Sequence, residues 1–106
     1  MQQYTPTQLR ELLDGTATSP FLLDVRERWE FDTCHLEGSV HIPMGEIPAR
    51  LDEIPTDQTV VVICHHGVRS MRVAMFLQHN GFEDLVNLTG GVDRWARDID
   101  PDMAVY

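Results

Sequence analysis

The sequence predicts an α/β fold with a mostly parallel sheet, and three observations carry that expectation. Thr59 to Ile63 is a continuous β-branched run, which suits a strand buried on both faces. Met71, Val73, Ala74, Met75, Phe76 and Leu77 follow within one segment, a density of apolar residues that suits a helix buried nearly all round. Strand-like and helix-like segments also alternate along the chain, the pattern of a parallel sheet with crossover helices.

Taken in order, residues 1–3 carry no structural signal and are expected to fray. Thr5-Pro6-Thr7-Gln8 reads as a capping box, with Thr5 as N-cap and Pro6 at the first helical position. Leu9, Leu12 and Leu13 supply the apolar face of the helix, and Gly15 ends it. Thr16 to Pro20 reads as a loop and Phe21 to Val25 as a buried strand. Glu27 to Thr33 reads as a short helical turn, with Trp29 and Phe31 expected in the core. Gly38 marks a turn before a short strand at 39–42 that Pro43 stops. Ile47, Leu51 and Ile54 give 45–54 the pattern of an amphipathic helix with Pro48 in its first turn. After the central strand a helix is expected from near Ser70 to the Asn80-Gly81 stop. Asp84 to Leu88 is a further strand. Thr89-Gly90-Gly91 reads as a flexible turn, Val92 to Arg97 as a final helix with Trp95 inward, and the acidic tail from Asp98 as loosely held. Met71 and Met75 read as gap fillers in the core.

At 106 residues one domain is expected, spanning 1–106. A formal net charge of -9 argues against nucleic acid and anionic membrane surfaces as partners. No signal-peptide pattern opens the chain, and no apolar run approaches the ~20 residues that span a bilayer. Two cysteines are too few for a disulfide scaffold, so a reducing, cytoplasmic setting is expected.

The chemistry concentrates in Cys64-His65-His66-Gly67-Val68-Arg69, between the central strand and the helix beginning near Ser70. Ligands of open α/β sheets bind outside the carboxyl ends of the strands. A thiolate, not a thiol, is the nucleophile. The helix N-terminus, a backbone nest made accessible by Gly67, and the Arg69 cation all favour it. The same features make a pocket for an oxyanion-bearing electrophile such as thiosulfate, phosphate or arsenate. No Asp or Glu occurs from Gln58 to Phe82, although the chain holds 17. Cys64, His65 and His66 are adjacent and cannot converge on one tetrahedral ion, so no metal is expected.

Leu23-Asp24-Val25-Arg26, Glu30, His35-Leu-Glu-Gly38-Ser39 running to His41-Ile42-Pro43, Val61-Val-Ile-Cys64 with its loop to Arg69, Gly81-Phe82, Leu88-Thr-Gly90-Gly91 and Trp95 occur in that order. In this ordered set the chain resembles the single-domain rhodaneses, which are thiosulfate-type sulfurtransferases. The resemblance implies a sheet of about five short strands flanked by helices on both faces. It also implies that Cys64 takes a sulfane sulfur from a small anionic donor as a persulfide and passes it to a thiol or protein acceptor, or to cyanide in an assay. Backbone amides from His65 to Ser70 would hold the donor and the persulfide, and Arg69 would add charge. Asp24 and Arg26 would brace the loop. No cofactor is implied, and a monomer or weak homodimer is expected.

Three other readings stay open. Phosphatases and arsenate reductases of related fold use a C-x5-R loop, whereas Cys64 to Arg69 is C-x4-R, one residue shorter and better matched to a lone sulfur atom. A persulfide carrier would use the same cysteine with protein partners. A non-catalytic interaction module would not need Cys64. His65 and His66 are expected to set donor preference. His41 is expected to order the strand after Gly38, and Cys34 to be a passive small residue.

Overall fold

The computed structural model describes residues 1–15 and 19–106. The expected loop at Thr16 to Pro20 lies partly outside the described residues. The strands are β1 (Gln2–Tyr4), β2 (Phe21–Asp24), β3 (Val40–His41), β4 (Val60–Ile63) and β5 (Leu85–Leu88). They form one sheet in the order β1-β5-β4-β2-β3. Every pairing is parallel, with Asp24 beside both Ile63 and His41, and Val62 beside Asn87. The helices are α1 (Pro6–Gly15), α2 (Arg28–Thr33), α3 (Val68–His79) and α4 (Gly91–Asp98). Among the described residues, no helix is long and apolar enough to cross a membrane.

The central strand β4 is buried along its whole length. Its alternation feeds two cores. Val60 and Val62 pack with Leu23, Val73, Ala74 and Leu77 on the α3 side, while Val61 and Ile63 pack with Leu9, Val92 and Trp95 on the side of α1 and α4. In β5 the same alternation sends Leu85 to the α3 side and Val86 and Leu88 to the other. Asn87, in register with Leu85 by two residues, therefore faces α3. The Thr5 capping box forms: Gln8 N–H donates to Thr5 Oγ1 at 3.2 Å and Thr5 N–H to Gln8 Oε1 at 2.8 Å.

Several local expectations are corrected. Residues 2–4 do not fray but pair with β5 as an edge strand; Gln2 and Gln3 carry no β-branched signal, so only the pairing makes the strand. The segment at 45–54 is not an α-helix but two 3-10 turns, Met44–Ala49 and Leu51–Glu53. Pro48 has no N–H to return to Met44, and the bonds that form run three residues back, as from Arg50 N–H to Ile47 O at 3.0 Å. The helix after Cys64 begins at Val68 rather than Ser70 and is amphipathic. Ser70, Val73, Ala74 and Leu77 form its buried stripe, while Met75 and Phe76 are exposed. Trp29 is 61% exposed rather than in the core.

The Gly90-Gly91 turn is closely packed rather than flexible. The N-terminus of α4 abuts the Cys64 loop: Val92 N–H donates to Cys64 O at 2.9 Å and Asp93 N–H to His65 O at 3.1 Å. These bonds draw the backbones so close that a Cβ on Gly91, where φ is +58°, would overlap both carbonyl oxygens. Gly91→Ala is expected to destabilise the protein by about 2–4 kcal/mol, from left-handed strain and the backbone clash. Thermal unfolding checks this, with Gly45→Ala as the control, since nothing lies within 4 Å of a Cβ there. Equal melting temperatures for the two variants would refute the packing argument.

Candidate active site

Parallel pairing brings the carboxyl ends of β2, β4 and β5 to one edge of the sheet, and Cys64 follows β4 directly. Its side chain is 1% exposed and belongs to the core on the α3 side. Gly67 N–H donates to Cys64 Sγ at 3.0 Å. Gly67 achieves this in the left-handed region, with φ at +98°, as the N-cap of α3. A Cβ there would press to 3.2 Å against Leu88 O and Gly90 N. The amides of Val68, Arg69 and Ser70 open α3 without intrahelical acceptors, so the positive end of the helix lies at the loop.

Beneath the sulfur sits a neutral polar cluster. Ser70 is fully buried and its Oγ lies 3.3 Å from Cys64 Sγ. Ser70 also bonds Asn87 Oδ1 in a close contact. The Asn87 amide donates to Gly67 O at 3.2 Å and to Gln3 Oε1 at 3.3 Å.

A second, charged network holds the far end of the loop. Arg26 is fully buried and donates to the Asp24 carboxylate at 2.6 and 2.9 Å, to Cys34 O at 2.6 Å, to Glu30 O at 3.2 Å and to Tyr106 Oη at 2.9 Å. Burial alone would lower the guanidinium's affinity for its proton, but the bonds to Asp24 outweigh it and raise the Arg26 pKa. Glu30, 4% exposed, accepts two bonds from Arg69 at 2.6 and 2.8 Å, one from Glu27 N–H at 2.9 Å and one from Tyr106 Oη at 2.8 Å. The Arg69 bonds, against the opposing effect of burial, hold the Glu30 carboxyl down at about 2. Burial first, then Glu30, pushes the Tyr106 phenol up to about 12, so it stays a neutral donor.

The loop histidines differ from one another. His65 stacks on the Tyr106 ring with centroids 3.9 Å apart. Burial, then the neighbouring His66, lowers its pKa and favours the neutral ring. His66 is exposed, with Nδ1 3.8 Å from Asp93 Oδ2. Beside the loop a cleft of about 380 Å³ is lined by His66, Gly67, Val68, Met71, Arg72 and Asn87 among others. His41 Nε2 lies 2.6 Å from Arg26 O, an acceptor only, so Nε2 carries the proton and ties β3 to the end of β2.

Three readings change. Arg69 is not a free cation over the sulfur; Glu30, thirty-nine residues earlier, neutralises it. The acid-free window from 58 to 82 concealed this because the compensating carboxylates, Glu30 and Asp93, come from α2 and α4. The brace expected of Asp24 and Arg26 is indirect: among the described residues Arg26 is linked to the loop through Glu30 and Tyr106, and Asp24 through Arg26. The tail is not loose at its end, since Tyr106 bonds Arg26 and Glu30 and meets Trp29 edge-on at 5.4 Å. Tyr106 had no signal in sequence. Asn87 had one: it is the single polar residue in β5.

The folded-state pKa of Glu30 lies below its ordinary 4.5, so its contribution to stability is present above pH 4.5 and is lost as pH falls towards about 2. Glu30→Gln is therefore expected to destabilise by at most about 3 kcal/mol at neutral pH. Urea unfolding should show that deficit narrowing as the pH is lowered. A deficit independent of pH would mean that the carboxylate charge is not what holds Arg69.

A family model for the rhodanese-like domain matches residues 5–98. The thiosulfate sulfurtransferase GlpE of Actinobacillus pleuropneumoniae serotype 3 is 31% identical over 104 residues, covering 98% of this chain and 94% of that protein. The probable adenylyltransferase/sulfurtransferase MoeZ of Mycobacterium tuberculosis is 38% identical over 104 residues, which are 96% of this chain but 26% of MoeZ. The chain thus spans about a quarter of the length of that relative. The crystal structure of a rhodanese-like domain protein from Staphylococcus aureus superposes with a TM-score of 0.86 at 28% identity, covering 100% of this chain and 99% of that one. A five-stranded parallel sheet with helices on both faces, matched by structure and by family model over nearly the whole length, places the chain in the rhodanese-like domain family.

Proposed function

We propose that this protein is a sulfurtransferase that carries a sulfane sulfur as a persulfide on Cys64. The observation that carries the reading is the Cys64 sulfur itself. It sits at the end of β4, receives the Gly67 N–H at 3.0 Å, and lies beneath a loop with four residues between Cys64 and Arg69. Family membership and the sulfurtransferase names of GlpE and MoeZ support sulfur transfer as the chemistry.

In the proposed reaction the Cys64 thiolate attacks the outer sulfur of thiosulfate or of a persulfide donor. A sulfur–sulfur bond forms on Sγ as the donor's own bond breaks, and sulfite or a thiolate leaves. An acceptor thiol, a protein thiol or cyanide then takes the outer sulfur and restores the thiolate. The loop amides from His65 to Ser70 hold the donor oxygens and then the terminal sulfur. Arg69 shapes the loop through Glu30 more than it attracts the anion. Arg72, exposed on the neighbouring cleft and with no ion pair among the described residues, is the cation available to an approaching donor.

Phosphoryl transfer is the weaker reading. A phosphate needs a wider cradle and a guanidinium free to clasp it, and here Arg69 is held at both Nη atoms by Glu30. A persulfide carrier with a protein donor and acceptor shares every step above. Intact mass after incubation with thiosulfate should show one added sulfur atom in the wild type, removed by cyanide, and none in Cys64→Ser. No gain in the wild type, together with rapid hydrolysis of an aryl phosphate, would replace sulfur transfer by phosphoryl transfer.

A further inference from the structure

We propose that Ser70 and Asn87 form a hydroxyl switch beneath Cys64 that holds the sulfur as a neutral thiol between turnovers and must swing before the thiolate is stabilised. The inference rests on Cys64 being the nucleophile of the proposed sulfur transfer, and it deepens that reading by adding two positioning residues.

Donor and acceptor identity forces the arrangement. The Gly67 carbonyl can only accept, so the Asn87 group 3.2 Å from it is the NH2. Asn87 Oδ1 therefore faces Ser70 Oγ. A carbonyl oxygen cannot donate, so Ser70 gives its single proton to Asn87. Only lone pairs of Ser70 Oγ are left for Cys64 Sγ at 3.3 Å, and that contact is a hydrogen bond only if the sulfur bears a proton. Gly67 N–H, at 3.0 Å, meets the sulfur as an acceptor. A thiol satisfies both contacts; a thiolate satisfies one and sets its charge against the Ser70 lone pairs.

Ionisation has one local remedy. The thiol proton leaves to water, and the Ser70 O–H turns from Asn87 Oδ1 to the sulfur without being transferred. Ser70 is 0% and Asn87 2% exposed, so the abandoned Oδ1 is poorly reached by water even though Asn87 lines the neighbouring cleft. The hydrogen bond gained by a charged sulfur is opposed by a buried acceptor left empty, and the two effects are of similar size. The charged groups around the loop do not decide the matter: the one without an ion pair among the described residues, Arg72, lies on the neighbouring cleft and makes no bond to the sulfur. Arg69 is paired with Glu30, and His66 lies beside Asp93. His65 is stacked on Tyr106, and Gln3 is neutral.

The switch predicts a gain from removing a buried hydrogen-bonding residue. In Asn87→Leu the competing acceptor is gone and the Ser70 hydroxyl is free to serve the thiolate. Alkylation of Cys64 by iodoacetamide at neutral pH, followed by peptide mapping, is expected to rise about tenfold. The double variant Ser70→Ala/Asn87→Leu should lose that rise. An unchanged or slower rate in Asn87→Leu, or a rise that survives in the double variant, overturns the proposal. The second readout does not need Asn87→Leu to fold. The infrared S–H stretch of Cys64, isolated by difference against Cys64→Ser, should lie at the low frequency of a hydrogen-bonded thiol in the wild type. It should move to the free-thiol position in Ser70→Ala, and a band that does not move overturns the switch. Neither readout uses thiosulfate, so persulfide formation can fail while the switch stands, and the reverse.

Discussion

The buried Arg26 guanidinium is the constraint on which the edge of this sheet depends. A fully buried cation is tolerated only when its donors are met and its charge is paired. Here the partners come from four places: Asp24 at the end of β2, the backbone of Glu30 in α2, the Cys34 carbonyl, and Tyr106 at the far end of the chain. Satisfying one side chain therefore fixes the path out of β2, the seat of α2 and the return of the tail. The Glu30 carboxylate is then presented to Arg69, and the Tyr106 ring to His65. The Cys64 loop inherits its shape from a charge it never touches.

Two networks of different chemistry meet at that loop. The charged one, from Asp24 through Arg26 and Glu30 to Arg69, anchors the end where α3 begins. The neutral one, made of Ser70, Asn87, Gly67 and Gln3, lies under the sulfur. Between them the N-terminal amides of α4 take up the carbonyls of Cys64 and His65. That division leaves a loop N–H, that of Gly67, rather than a loop carbonyl on the sulfur. Since Arg69 is neutralised by Glu30, negative charge on sulfur is left to the Gly67 N–H and the helix end and, once it has turned from Asn87, to the Ser70 hydroxyl. The backbone dipoles are already oriented before charge develops; the Ser70 hydroxyl is the one group that the proposed switch requires to turn.

Much of the fold was legible because its signals are local. The β-branched run at β4, the Thr5 capping box and the Asn80-Gly81 stop each report on neighbours a few residues away. The failures share the opposite property. Strand β1 exists only because β5 lies beside it. The 3-10 turns after Pro43 follow from a missing N–H that an apolar pattern does not count. Glu30 meets Arg69, and Tyr106 meets Arg26, across long stretches of chain. At the candidate site, Cys64 and its loop were legible from a strand end and a helix start. Its electrostatics were not, because a window of sequence free of acids is not a volume free of acids. Asn87 lies between these cases: a lone polar residue in a buried strand marks an obligation to find partners, without saying which.

The paired state of Arg69 bears on what the site can select. On the proposed reading, a strongly acidic protein must admit an anionic donor to a sulfur that is 1% exposed. A free guanidinium at the sulfur would attract any anion and would bind a tetrahedral oxyanion as readily as a sulfane sulfur. Committing Arg69 to Glu30 removes that indiscriminate attraction and leaves the N–H groups of the loop, which reward an atom small enough to reach them. The exposed Arg72 can draw an anion to the neighbouring cleft without clasping it over Cys64. Attraction and chemistry are thereby separated by a few residues of α3. On the proposed reading the short loop would exclude large electrophiles by size, and the neutralised arginine would deny them the charge that could compensate.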